Sequence, residues 1–202
     1  MGKFIAVFVF VLGLVLSANP SYGEEATSKE KSQRWGIGFH AGYFGMPDFV
    51  LDRFFAEHPS VSGATMGIDI KYYGDNGQDR SFNWLFSLDY GKFSGDGYWK
   101  VEEGDALEYG EIEGSLISLT ATAIWNIFPT KMLNPYLGIG LGVGYLDGVG
   151  RTRDEEEEVS QFVPVVHIPI GLNLKASEKF HLNVEGGFRD GIYMVGGIRI
   201  LF

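Results

Sequence analysis

Eight stretches of the chain alternate large apolar residues with small or polar ones at a period of two, the mark of β-strands with two unlike faces. The last of them, 192–202, shows the pattern plainly. Ile192, Met194, Gly196, Ile198, Ile200 and Phe202 share one face, and Tyr193, Val195, Gly197, Arg199 and Leu201 the other. In 34–44, Trp35, Ile37, Phe39, Ala41 and Tyr43 oppose Gly36, Gly38, His40 and Gly42. In 63–73, Ala64, Met66, Ile68, Ile70 and Tyr72 oppose Gly63, Thr65, Gly67, Asp69 and Lys71. The same alternation recurs over 81–93, 115–128, 135–146, 161–174 and 179–188.

In every stretch one face is glycine-rich and lightly polar, too small and polar to sit in lipid yet a poor surface for water. A closed barrel with its apolar row outward and its small row in the lumen satisfies both faces. A soluble barrel would invert the arrangement. A chain whose terminal residue, Phe202, ends an apolar strand face is likewise expected to meet lipid there.

Turn chemistry divides the strands. Short connections are expected at 74–80 around Asp75-Asn76-Gly77, at 129–134 and at 175–178, and longer ones at 45–62, 94–114 and 147–160. Parity across 179–188 and 192–202 requires an odd-length turn, Arg189-Asp190-Gly191, with Gly191 expected at φ > 0. Pro164 and Pro169 predict a bulge or an unpaired rim in the sixth strand. The four glycines Gly138, Gly140, Gly142 and Gly144 predict close approach of backbone or a bulky neighbour.

The N-terminus adds a compartment. Lys3, an apolar run from Phe4 to Leu16 and a small-residue stretch ending at Gly23 have the layout of a secretory signal peptide, 1–23. The run falls short of the roughly 20 residues a membrane helix needs. Residues 24–33 read as a flexible periplasmic lead-in, and 34–202 as one all-β domain, an up-and-down antiparallel barrel of eight strands. Absence of cysteine excludes disulfides and a lipidated cysteine, and a net charge of −10 argues against nucleic acid.

In these respects the chain resembles the eight-stranded outer-membrane β-barrel proteins of Gram-negative bacteria, the OmpA/OmpX/OmpW-like group. The likeness rests on the Pro135–Gly142 segment and on the carboxyl end. It implies an outer-membrane location, contact with lipid and lipopolysaccharide, and a monomer without cofactor. It also implies an insertion signal read by the outer-membrane insertion machinery, matched here by Gly197, Ile200 and Phe202, with Val195 where a polar residue is expected. Aromatics near strand ends, Trp35, Tyr43, Tyr72, Phe82, Tyr90, Tyr136, Tyr145, Phe162 and Phe180, are expected to form the interfacial girdles.

Asp69, Lys71, Asp89, Glu185 and Arg199 fall on inward faces and are the candidate site. They form either a gate across a narrow pore, through a Glu185–Arg199 ion pair, or a polar plug that holds the strands in register. In the first long connection, Val50/Phe54 and Leu51/Phe55 have helical spacing, predicting a short helix that either forms a lid or interfacial element or packs over the mouth. Glu102, Glu103, Asp105, Glu108, Glu111 and Glu113, and the run 154–158, are a solvated acidic surface or weak divalent-cation ligands, with no metal motif among them. Barrel enzymes that modify lipid pair serine with histidine, often as His-x-Ser. Of His40, His58, His167 and His181 only His58 has a serine two residues on, Ser60, and it lies in a loop after Pro59. The expected role is therefore non-catalytic, structural or surface-interactive, with a narrow channel and a lipid A-modifying enzyme as the alternatives.

Overall fold

A computed structural model describes residues 35–52, 56–73, 82–100, 108–127, 132–152, 156–189 and 191–202. The signal-peptide and lead-in stretches lie outside them. Eight antiparallel strands close into one barrel in chain order: β1 (Trp35–Gly45), β2 (Ser62–Tyr73), β3 (Phe82–Trp99), β4 (Glu108–Asn126), β5 (Leu133–Thr152), β6 (Glu156–Lys175), β7 (Phe180–Arg189) and β8 (Ile192–Leu201). One helical turn, α1 (Asp48–Leu51), follows β1.

Closure is what lipid demands, since no water is present to satisfy an open strand edge. β1 and β8 pair from Gly36↔Leu201 to Gly45↔Ile192, and Phe202 N–H donates to Trp35 O at 3.0 Å. Register is strongly staggered. Following partners from Trp35 through Tyr72, Trp84, Ala123 and Ile139, carrying the β5–β6 register across to Ile168, and then through Phe188 and Ile192, returns to β1 at Gly45, ten residues along. Such a stagger tilts the strands and leaves an interior that side chains can fill.

Alternation is regular throughout. In β2, Thr65, Gly67, Asp69, Lys71 and Tyr73 are buried, while Ala64, Met66, Ile68 and Ile70 are exposed on the outside. The outward row carries aromatic clusters at both rims. Near the chain termini Trp35 meets Tyr72 at 4.8 Å and Phe82 meets Trp125 at 5.4 Å. At the opposite rim Tyr145 meets Phe162 at 5.2 Å, with Tyr43 and Tyr90 also outward. Tyr136 is not part of either girdle: it is 1 % exposed, on the inward row of β5.

Two further expectations are corrected, and a third in part. β3–β6 run 18 to 20 residues and continue beyond the membrane through much of 94–114 and 147–160, whereas β7, β8, β1 and β2 have 10 to 12. The glycine and glutamate content of those stretches imitates loop composition while their period of two persists. β6 forms no bulge, although its outer part, with Pro164, is the unpaired rim of the other expectation, since β7 pairs only from His167. The register of β6 with β5 is the same on both sides of Pro169, which interrupts pairing only opposite Gly138 and Ile139 because it has no N–H to give. The final hairpin turns in three residues between the paired Phe188 and Ile192, as expected, but Gly191 has no positive φ; among the described glycines Gly97 does. Glycine is needed at 191 for space, because a Cβ there would strike the Phe44 ring.

An arginine at Ile68, an outward position 54 % exposed midway along β2, should lower stability in vesicles by about 2–4 kcal/mol. Ser94→Arg, outward but beyond the girdle, should stay within about 0.5 kcal/mol. Urea unfolding in vesicles measures both, and equal effects would contradict this placement of the lipid belt.

Candidate functional site

The lumen is filled from end to end. At the terminal end Leu85, Ile124 and Tyr136 form an apolar floor, and Lys71 Nζ lies 5.0 Å from the Tyr73 ring and 5.4 Å from the Tyr136 ring. Above it Arg199 donates to Asp69 Oδ1 from Nη2 (2.8 Å) and Nε (3.0 Å), and to Asn173 Oδ1 from Nη1 (3.2 Å). The other Asp69 oxygen is 3.4 Å from His40 Nδ1, and His40 Nε2 is 2.6 Å from Asp89 Oδ1. Asp89 Oδ2 in turn meets Arg189 Nη1 at 2.6 Å, and Arg189 also donates to Thr65 and stacks 4.8 Å over the Tyr193 ring. A second cluster centres on Glu185, which accepts from the Tyr136 hydroxyl at 2.6 Å and from the Tyr193 hydroxyl at 2.7 Å. His167 Nε2 reaches the Tyr193 hydroxyl at 2.8 Å, and its Nδ1 the Thr122 hydroxyl at 2.8 Å.

A single geometric device builds four of these contacts. Asp69, Gly38 and Arg199 stand side by side on β2, β1 and β8, and the missing side chain of Gly38 lets the outer two meet over it. A Cβ on Gly38 would lie 2.5 Å from Asp69 Oδ2. His40–Gly67–Asp89, Tyr136–Gly171–Glu185 and Thr122–Gly140–His167 are three more such rows, each bonded across its central glycine. A fifth, Phe44–Gly63–Phe93, joins two rings at 6.4 Å.

The extracellular end is apolar. Phe44, Phe93, Tyr193 and Val195 from the strands pack with Val61 and with Leu51 of α1, which is 6 % exposed. The first long connection therefore covers the mouth; Phe54 and Phe55 lie outside the described residues. Between this cap and the charges is a cavity of about 10 Å³ lined by Thr65, Asp89, Ser118 and Arg189 among others, room for about one water.

All five charges expected in the lumen are there, and each is buried. The expected Glu185–Arg199 pair does not form: Gly38 gives Arg199 to Asp69, while Glu185 is held by two tyrosines. Arg189, His40, His167, Tyr136 and Tyr193 complete the network. Strand parity alone places four of them inward, and Arg189 was expected in the turn rather than at the end of β7. Three acids, Asp69, Asp89 and Glu185, share the interior with three bases, Lys71, Arg189 and Arg199. Of the carboxyl-terminal residues, Ile200 and Phe202 face outward, and Gly197 lies against Phe39 O, which a Cβ would approach to 2.5 Å. His58 uses both ring nitrogens on Asp52 (3.0 Å) and the Pro59 carbonyl (3.1 Å), leaving neither for Ser60. Glu108, Glu111 and Glu113 lie on β4 and Glu156–Glu158 on β6; the other acidic residues of those stretches lie outside the described residues.

A closed ring of eight strands with a lipid-facing apolar belt, two aromatic girdles and a polar interior defines an eight-stranded outer-membrane β-barrel. Among solved structures the chain is similar to neisserial surface protein A (NspA), at 15% identity and a TM-score of 0.51, over 85% of this chain and 98% of that one. It also aligns with Ail of Yersinia pestis (16% identity, TM-score 0.48, 84% and 99%) and with the N-terminal barrel domain of Pseudomonas aeruginosa OprF (18%, 0.42, 84% and 98%). No protein-family model and no curated protein sequence matches the chain.

Arg199→Met leaves Asp69 buried without its strongest partner and should destabilise by about 3–5 kcal/mol. Adding Asp69→Leu should recover most of the loss, and a double-mutant cycle by urea unfolding reads the coupling. Gly171→Ala, whose Cβ would collide with Tyr136, should cost about 1–3 kcal/mol, as overpacking does. Gly196→Ala faces outward with nothing within 4 Å and should be neutral or slightly stabilising. Comparable losses at the two glycines would contradict the bridging rows.

Proposed function

We propose that this protein is a non-conducting, non-enzymatic barrel of the outer membrane that serves the cell surface structurally and by interaction. The observation that carries this reading is the filled lumen: an apolar floor, a middle of hydrogen-bonded charges and an apolar cap, with a cavity of about 10 Å³ between the last two. A solute path would need the Arg199–Asp69 and Arg189–Asp89 pairs to separate together, and each separation leaves charges buried without partners, a loss of several kcal/mol. What the barrel offers instead lies outside, where β3–β6 rise beyond the girdle and carry Asp96, Glu111, Glu113, Asp147, Glu156 and Glu158 on their outer face. Lipopolysaccharide surrounds that wall in this reading, and Gly197, Ile200 and Phe202 serve the insertion machinery.

Purified protein reconstituted in planar bilayers should give no steady conductance. A persistent open state would refute the closed-lumen reading and favour the narrow channel. Incubation with lipopolysaccharide, followed by mass analysis of lipid A, should show no change; a mass shift lost in Ser60→Ala would return the enzyme reading.

A further inference from the structure

The lipid belt and its girdles account for the other exposed aromatics of the described wall, but not for two. Tyr98 of β3 and Tyr109 of β4 stand abreast on the outer face, eight residues along β3 from the girdle residue Tyr90. At about 3.3 Å per residue and a strand tilt of about 40°, they lie about 20 Å outside the girdle. There they are 58 % and 49 % exposed, with no lipid to cover them. Their rings meet edge to face at 5.5 Å, and the Tyr109 hydroxyl donates to Asp96 Oδ2 at 3.0 Å. Scattered apolar side chains are ordinary on a surface, but two tyrosines ordered against each other and against a carboxylate have the make-up of a binding anchor. We infer that this part of the outer face binds an arginine-bearing surface of a partner protein, with the two rings as its anchors.

The charge beside the rings selects that occupant. Directly below them the outer row runs Asp96, Glu111, Arg151 and Glu156 across β3 to β6, and the next row runs Ser94, Glu113, Val149 and Glu158. Five carboxylates in these two rows meet one base, and Arg151 Nε turns to Glu156 at 3.5 Å, on the side away from the rings. Asp96 and Glu111 stand directly opposite each other, and like charges so placed cost a sheet stability. A cation seated between them would remove that cost. Of the two cationic side chains arginine fits better. Its guanidinium plane can lie on a tyrosine face while its fork of N–H groups donates to carboxylates at the ring's edge. Lysine brings a compact, strongly hydrated charge with no plane to stack. An anionic occupant would be repelled by these carboxylates, and a second copy of this chain, with its net charge of −10, is one.

This inference rests on the surface-interaction reading above, yet the two can fail separately, since conductance and lipid A analysis do not test the outer face. The full-length protein is refolded into phosphatidylcholine vesicles and titrated with two fluorescent peptides of equal length, one all arginine and one all lysine. Anisotropy should report saturable binding of the arginine peptide, roughly fivefold tighter than that of the lysine peptide. Tyr98→Ala with Tyr109→Ala should abolish this preference and leave the affinity for the lysine peptide nearly unchanged. Tyr98→Phe with Tyr109→Phe keeps both ring faces and should retain the preference. Asp96→Asn with Glu111→Gln should weaken binding of both peptides. All four positions are exposed and outside the membrane, so every variant should still form the barrel, which heat-modifiable migration on gels checks. Equal affinity for the two peptides, binding that does not saturate, or an arginine preference that survives loss of both rings would overturn the inference.

Discussion

The fold depends on one constraint: a backbone crossing lipid must find every hydrogen-bond partner within the chain. Eight strands satisfy it by closing β8 onto β1, carried to the last residue by the reciprocal Trp35–Phe202 hydrogen bonds. Once the ring is closed, parity assigns every side chain to lipid or to a lumen too narrow for water in bulk. Charges placed inward must then be paired with one another, because burying one alone costs far more than the barrel's margin of stability.

How those charges find partners is a matter of space as much as of sign. A lumen walled by eight side-chain rows would be overfull if every inward position were large. Glycine at the centre of a three-strand row removes the obstacle and lets residues two strands apart bond across it, as Asp69 and Arg199 do over Gly38. Each row also records register. Sliding β1 by two residues one way would put His40 between Asp69 and Arg199 and break their bonds; sliding it the other way would put Gly36 there but carry His40 away from Gly67 and its bond to Asp89. Buried ion pairs seldom add net stability over apolar packing, but a set that works in one alignment only can select that alignment.

Much of this was legible in the alternation alone. The eight strands, their inward and outward faces and all five predicted lumen charges follow from period two, because a one-residue error would put Asp69 or Arg199 into lipid. Pairing was not legible. Whether Arg199 meets Glu185 or Asp69 depends on which residues stand abreast across three strands, and nothing local to either residue encodes that. Selecting inward residues by charge also passed over His40, His167, Tyr136 and Tyr193, which lie on the same rows and connect the acids. Composition misled above the membrane, where Asp96, Gly97, Glu111, Gly148 and Glu157 read as loop although they continue the strands.

Unequal strand length ties the closed interior to the exposed exterior. β7 and β8 end at the girdle because Arg189 and Tyr193, at their upper ends, must turn inward to complete the network and support the apolar cap. β3 to β6 have no such duty above Phe93 and Val165 and continue outward as sheet. A barrel in which only half the wall rises must leave its rising half with two edges, whereas a barrel of equal strands would leave none. The first long connection, anchored in the mouth by Leu51 and Val61, is held over the β3 edge and closes it. The turn after β7 is too short to do the same for β6. The open edge outside the membrane is thus a consequence of how the lumen is filled within it.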